Sequence, residues 1–263
     1  MKPIKLELIS HHPSTSNNFK YPIVFVHGAW CWDEYFLPYF AKQGFEVHAL
    51  SLRGHGKSES NKSIRFTRIK DYVADVEQTI HGLGKDVIVV GHSMGGFIVQ
   101  KYIEKHNPKA AILLAPAPHK GVLATTLRVA QKYPLPFFKM NLMWTMFPLV
   151  ANNDLARAQF FSDEMPEEMV EKHQKRLQDE SFLGFLDMLL LDLPRKINKA
   201  VPMLVLGAEK DQIFKPSEIH ATAKHYNASI KIFEDMAHDM MLEEEWKMVA
   251  NEMIRWLFGN FSD

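Results

Sequence analysis

Gly91-His92-Ser93-Met94-Gly95 places a serine between two glycines at the spacing of a tight, strained turn. A serine hydroxyl is a weak nucleophile until a neighbouring base takes its proton, and the base needs a third group to hold its ring. A turn that strains the serine backbone leaves room only for small neighbours, here Gly91 and Gly95. The flanking chain supplies the strand and helix that such a turn joins. Residues 87–90 form a compact β-branched run, and residues 97–106 read as a helix. A helix starting behind the serine points its positive dipole end and free N–H groups at the reacting centre. The chemistry expected is acyl transfer through Ser93.

The partners of such a serine follow it in the chain, acid first and histidine last. His238 has the best position of the thirteen histidines, in Met236-Ala237-His238-Asp239 just after a predicted strand at 230–233. Asp211 ends Gly207-Ala208-Glu209-Lys210-Asp211, which follows a predicted strand at 203–206. Glu209 and Asp235 compete with it as nearby carboxylates. In the expected roles Ser93 attacks, His238 relays the proton and Asp211 holds the imidazole. The developing oxyanion needs donors. One is the backbone N–H of Met94. The other is expected from the loop His27-Gly28-Ala29-Trp30 after a strand at 23–26, with Ala29 N–H as donor and Gly28 permitting close backbone approach. His27 and His92 read as structural hydrogen-bonding groups rather than catalysts.

These residues must be carried by a scaffold, and the periodicity describes one. Strands are predicted at 4–9, 23–26, 46–52, 87–90 and 111–114. A helix fits 65–83, where Ile69, Tyr72, Val73, Val76 and Ile80 share a face. Strands alternating with helices imply an α/β fold with a mostly parallel sheet flanked by helices. The alternation stops at about 118 and resumes near 200 with strands at 203–206 and 229–233 and helices at 216–226 and 243–258. The reading is therefore a core of residues 1–118 and 200–263 and a helical insertion of residues 119–199. Within the insertion, 137–147 holds Phe137, Phe138, Met140, Leu142, Met143, Trp144, Met146 and Phe147, with Lys139 as the lone charge. Met and Phe side chains adapt to variable apolar ligands, so the insertion is expected to act as a lid over Ser93. It would exclude water and shape an apolar acyl tunnel. Trp30, Trp144 and Ile213 are expected to contact substrate.

The sequence resembles the α/β-hydrolase superfamily. The resemblance rests on four blocks in order: His27-Gly28 with Ala29-Trp30; Leu52-Arg53-Gly54-His55-Gly56 with Ser58; Gly91-x-Ser93-x-Gly95; and Gly207-Ala208-Glu209-Lys210-Asp211 with Ala237-His238. It covers nearly the whole chain and implies an α/β-hydrolase fold with the lid inserted between strands six and seven. Within the superfamily the chain is similar to lysophospholipase and monoacylglycerol-lipase-like serine esterases. Ala29-Trp30-Cys31-Trp32 stands where monoacylglycerol lipases carry a longer Gly-Glu-His loop, and this departure is closer to plant-type methylesterases. The implied activity is carboxylic ester hydrolysis without a cofactor, on a small-molecule ester with an apolar chain.

Composition excludes several other classes. The 31 Lys+Arg balance 31 Asp+Glu, so the chain lacks the basic footprint of a nucleic-acid binder. Cys31 is the sole cysteine, which removes intramolecular disulfides and cysteine-rich metal sites. His11-His12 lacks further ligands at metal spacing, and no metal is expected. A phosphate loop at Gly54-His55-Gly56-Lys57-Ser58 would need glycine where Ser51 stands. That segment reads instead as a loop held by Arg53 beside the site. Ser93 itself excludes the aspartate nucleophile of dehalogenases and epoxide hydrolases. No run approaches the ~20 apolar residues of a membrane span, and no leader is visible, so a cytoplasmic location is expected. Membrane-surface contact through the sparsely charged lid is the expected exception. The oligomeric state is left open. So are two alternatives. One keeps the triad for other chemistry: small-ester methylesterase, thioesterase, lactonase, C–C hydrolase, acyltransferase or cofactor-free haloperoxidase. The other is a non-catalytic ligand-binding protein.

Overall fold

The computed structural model describes residues 3–14, 19–28, 32, 34–197 and 201–261. Seven strands form one sheet: β1 (Leu8–His11), β2 (Ile23–Val26), β3 (Val47–Leu50), β4 (Ile88–His92), β5 (Ala110–Leu114), β6 (Met203–Ala208) and β7 (Ser229–Phe233). Their spatial order is β1-β3-β2-β4-β5-β6-β7. Only β1 runs antiparallel, pairing Leu8 with Leu50 and His11 with Val47. That register places the first strand slightly later in the chain than the 4–9 expected from alternation.

β2 through β6 are buried along their whole length, which is why they read as continuous apolar runs. Alternate residues serve opposite faces. Ile23 and Phe25 pack with Phe36 and Phe40 of α1 (Phe36–Lys42) and with Val249, Met253 and Leu257 of α10 (Trp246–Phe261). Val24 and Val26 pack with Tyr72 and Val76 of α2 (Ile69–Leu83), Phe97 and Ile98 of α3 (Met94–Tyr102) and Ile219 of α9 (Pro216–Tyr226).

The chain between β5 and β6 is helical: α4 (Leu123–Lys132), α5 (Pro134–Met143), α6 (Asn153–Phe160), α7 (Glu167–Gln174) and α8 (Phe182–Leu186), which runs into a π turn at Asp187–Leu191. In this sheet the helical segment follows the fifth of seven strands. The resemblance places it between the sixth and seventh, but the described residues hold no additional strand ahead of it. The Asp187 carboxylate ties the segment to the core, taking the Arg68 guanidinium and the Ile69 N–H (3.0 Å) at the start of α2. Lys101 of α3 reaches Asp192 at 2.9 Å. α5 is apolar on both sides. Phe137 and Met140 face inward to a cavity, while Leu135, Phe138 and Leu142 are 72%, 64% and 69% exposed. Among the described residues no helix is long and apolar enough to cross a membrane.

The loop after β3 is fixed by a buried ion pair. Arg53 Nε and Nη2 donate to the Asp75 carboxylate of α2 at 3.0 and 2.5 Å, and the Arg53 backbone N–H donates to the same group at 3.0 Å. Both side chains are almost wholly buried. Removing Asp75 strips the guanidinium of its short bonds in a dry site and leaves the Asp71 carboxylate, 3.9 Å away, to face it. Asp75→Ala is therefore expected to destabilise the protein by about 3 kcal/mol, read as a lowered urea midpoint with an unchanged m-value.

Candidate active site

β2 and β4 are neighbours, yet the chain leaves β2 toward β3 on one side and returns to β4 on the other. Such a switch point opens a crevice at the carboxyl ends of the two strands. The turn after β4 puts Ser93 there, at φ 53° and ψ −119°. This left-handed backbone is held by the surrounding structure. The Ser93 N–H donates to the Leu114 carbonyl of β5 (3.1 Å), and its carbonyl accepts from Phe97 and Ala117 (3.2 and 3.0 Å). Two glycines make the turn feasible. A Cβ on Gly95 would strike the carbonyls of Val26 and His27, and one on Gly28 would lie 2.7 Å from Ser93 Cβ. Met94 opens α3, so its N–H has no carbonyl of its own helix to bind. Ala29 and Trp30, expected as second oxyanion donor and substrate contact, lie outside the described residues, as does Cys31.

Asp211 and His238 meet where sequence order places them. Asp211 sits in the turn after β6. Its Oδ1 accepts the backbone N–H groups of Ile213 (2.7 Å) and Phe214 (2.9 Å), which leaves Oδ2 for His238 Nδ1 at 2.8 Å. Both side chains are fully buried. The competing carboxylates are elsewhere: Glu209 is exposed, and Asp235 is exposed and paired with Lys210 at 2.9 Å. His238 Nε2 is buried and has no hydrogen-bond partner among the described residues. The ring is framed by Phe160 of α6 at 5.9 Å, Phe214 at 5.4 Å and His92, the residue before Ser93, at 4.8 Å.

Four buried histidines surround this point, and their partners set their charge. Burial pulls the His238 imidazole down, but the Asp211 charge and hydrogen bond outweigh it, so its pKa lies above the ordinary 6.5. His92 donates Nε2–H to the His238 carbonyl (3.1 Å). Burial and the neighbouring His238 hold it well below the ordinary value. His27 accepts the Leu52 N–H on Nε2 (2.9 Å) and donates Nδ1–H to the Gly28 carbonyl (2.6 Å). Burial, reinforced by His55, lowers it to about 3. Both are neutral struts, as their positions in turns suggest. His55 differs, because Glu180 lies 3.1 Å from its Nε2. Burial opposes its charge, yet the carboxylate raises its pKa.

The structure adds residues that periodicity does not reveal. Asp239 is buried beside His238 and donates its N–H to the Phe160 carbonyl at 2.9 Å. Burial raises its carboxyl to about 7, against the pull of His238 and with the push of Asp211 and Glu243. Glu243, also buried, takes the Ser162 N–H and hydroxyl at 2.8 and 2.7 Å. Together these bonds pin the end of α6 to the His238 loop.

Ser93 and Met94 line a cavity of about 170 Å³ whose other walls come mainly from the helical segment, including Phe137, Met140, Met146 and Phe185. Ile213, expected to contact substrate, is among the residues that line it, as is Phe214. Trp144 does not. It ends α5 in a left-handed conformation (φ 54°), 49% exposed, and stacks on Phe182 at 5.5 Å. The apolar pattern of 137–147 locates the wall but not the rotation of each residue on it.

The chain belongs to the alpha/beta hydrolase family, whose model matches residues 23–252. This span takes in Ser93, Asp211 and His238. A monoacylglycerol lipase of Mycolicibacterium smegmatis is 23% identical over 238 residues, 84% of this chain and 81% of that one. A non-heme haloperoxidase of Rhodococcus erythropolis is 26% identical over 248 residues, 83% of this chain and 86% of that one. Another relative matches over 96 residues, 34% of its own length. Among solved structures, an esterase from Exiguobacterium antarcticum superposes with a TM-score of 0.71 at 20% identity, covering 97% of this chain and 96% of that one.

The charge pattern can be read by imidazole NMR. His238 is expected to titrate above 6.5 and, in Asp211→Asn, to fall as burial is opposed by the more distant Asp239 charge alone. His27 should stay neutral down to about pH 3.

Proposed function

We propose that this hydrolase-fold protein cleaves carboxylic esters with an apolar acyl chain, of the monoacylglycerol or lysophospholipid type, through an acyl-enzyme on Ser93. The observation that carries this reading is the buried Asp211–His238 pair with an uncommitted Nε2, its ring against His92, whose chain neighbour Ser93 lines an apolar cavity. His238 Nε2 takes the Ser93 proton as Oγ attacks the ester carbonyl. Met94 N–H, joined by Ala29 N–H, stabilises the oxyanion. His238 then protonates the leaving alcohol, and finally activates the water that releases the acid.

The helical segment serves in this proposal as a lid, with residues 119–199 as its extent. Support comes from α5, whose inner side lines the cavity and whose outer side exposes Leu135, Phe138 and Leu142. That outer side suits contact with an aggregated lipid surface. The name of the Rhodococcus erythropolis relative favours a second reading, in which the same triad serves a cofactor-free haloperoxidase.

The test is hydrolysis of p-nitrophenyl esters from acetate to palmitate. Ser93→Ala should lower kcat by about 10⁴-fold or more and abolish labelling by a fluorophosphonate. The optimum should fall at medium or long chains; a sharp acetate or butyrate optimum overturns the apolar-acyl assignment. Because the base must be neutral, kcat/KM should rise as pH passes upward through the raised His238 pKa. Asp211→Asn should shift that limb to lower pH and cost about 10⁴-fold in rate.

A further inference from the structure

Most polar groups that line the cavity are committed within the protein. Thr125 and Thr126 hydroxyls donate to the carbonyls of Ile213 (2.9 Å) and Val122 (2.8 Å). Gln159 Nε2 donates to the Leu149 carbonyl at 2.6 Å, Gln178 Oε1 accepts the Gly56 N–H at 3.0 Å, and the Ser181 hydroxyl donates to the Thr67 carbonyl. Glu180 is different. Its Oε1 takes His55 Nε2–H at 3.1 Å. Its Oε2 is buried, and no donor among the described residues reaches it. A buried carboxylate oxygen without a donor is costly, and Glu180 is among the residues that line the chamber that holds Ser93.

The state of His55 defines which donor fits. Its Nδ1 faces the Arg53 carbonyl at 3.3 Å while Nε2 faces Glu180. Both partners are acceptors only, so the ring carries both protons and a positive charge. The His55–Glu180 pair is then neutral overall. A cationic ligand at Oε2 would meet the imidazolium beside it, whereas a hydroxyl or amide N–H would complete the carboxylate without adding charge. We infer that Glu180 Oε2 is a specificity determinant that accepts a hydrogen bond from a neutral donor on the ligand. The cavity accordingly selects an apolar chain bearing one hydroxyl or amide N–H over plain hydrocarbon. The inference rests on the ester-hydrolase reading for the identity of the reaction, but not for binding.

Binding is therefore tested apart from turnover. In the Ser93→Ala protein, calorimetry should find decane-1,2-diol bound at least tenfold tighter than 1,2-dimethoxydecane, which presents the same chain without donors. Adding Glu180→Leu should bring the two within about twofold. Glu180→Gln, nearly isosteric and the safer variant to fold, places an amide N–H₂ where Oε2 stood and should erase or invert the preference. Equal binding of diol and ether to Ser93→Ala, or a diol preference that survives both Glu180 variants, overturns the proposal. The two readings fail separately. Ser93-dependent ester turnover with equal diol and ether binding sinks the Glu180 role alone. A Glu180-dependent diol preference without ester turnover sinks the hydrolase reading and leaves this site standing.

Discussion

The close approach of two turns, one after β2 and one after β4, is the constraint on which the rest of the molecule depends. Gly28 and Gly95 let those turns touch, and Ser93 is held between them in a backbone conformation that an ordinary loop would abandon. A residue kept in such a conformation costs about 1–3 kcal/mol and persists only where its surroundings over-determine it. Here the determinants are global. They are the strand order that makes β2 and β4 neighbours, the fully buried parallel strands on either side, and the carbonyl of β5 that receives the Ser93 N–H. The sheet therefore acts as a jig for one side chain.

Electrostatics around the jig show how one residue type takes several states within a small volume. His27 and His92 meet carbonyls, an N–H donor and apolar walls, and stay neutral. His238 and His55 each meet a carboxylate, and their pKa values rise despite burial. Asp211 keeps one oxygen for His238 because two backbone N–H groups already satisfy the other. Asp239, one residue beyond His238, lacks comparable relief, and burial drives its carboxyl toward the neutral form. Two ionised carboxylates crowded against one imidazole are thereby avoided.

Features encoded over short stretches were legible in the sequence. Ser93 announces itself through a pentapeptide and the strand before it, and Asp211 and His238 through their places after strands of clear β character. The helix at 216–226 and the strand at 229–233 match α9 and β7 in full. Features that depend on distant packing were not legible. The first strand moved to Leu8–His11 because its register is set by β3. Trp144 belongs to the expected wall region but turns outward, since the cap of α5 rather than its apolar period sets its direction. Phe160, Asp239 and Glu243 join the site only through contacts between the helical segment and the C-terminal loop. Glu180 meets His55 from 125 positions away, beyond the reach of any spacing argument.

The attachment of the helical segment is uneven, and this has a consequence for how the protein can diversify. The end of α6 is locked to the His238 loop through Asp239, Phe160, Ser162 and Glu243. α5 instead stands between cavity and solvent with apolar side chains on both sides. Substitutions along α5 can therefore reshape the chamber wall residue by residue while the Asp211–His238 pair keeps its contacts. α6 permits no such freedom, because a change there is felt at the imidazole. One stretch of the helical segment is free to vary in packing and the adjoining stretch is bound to the His238 loop.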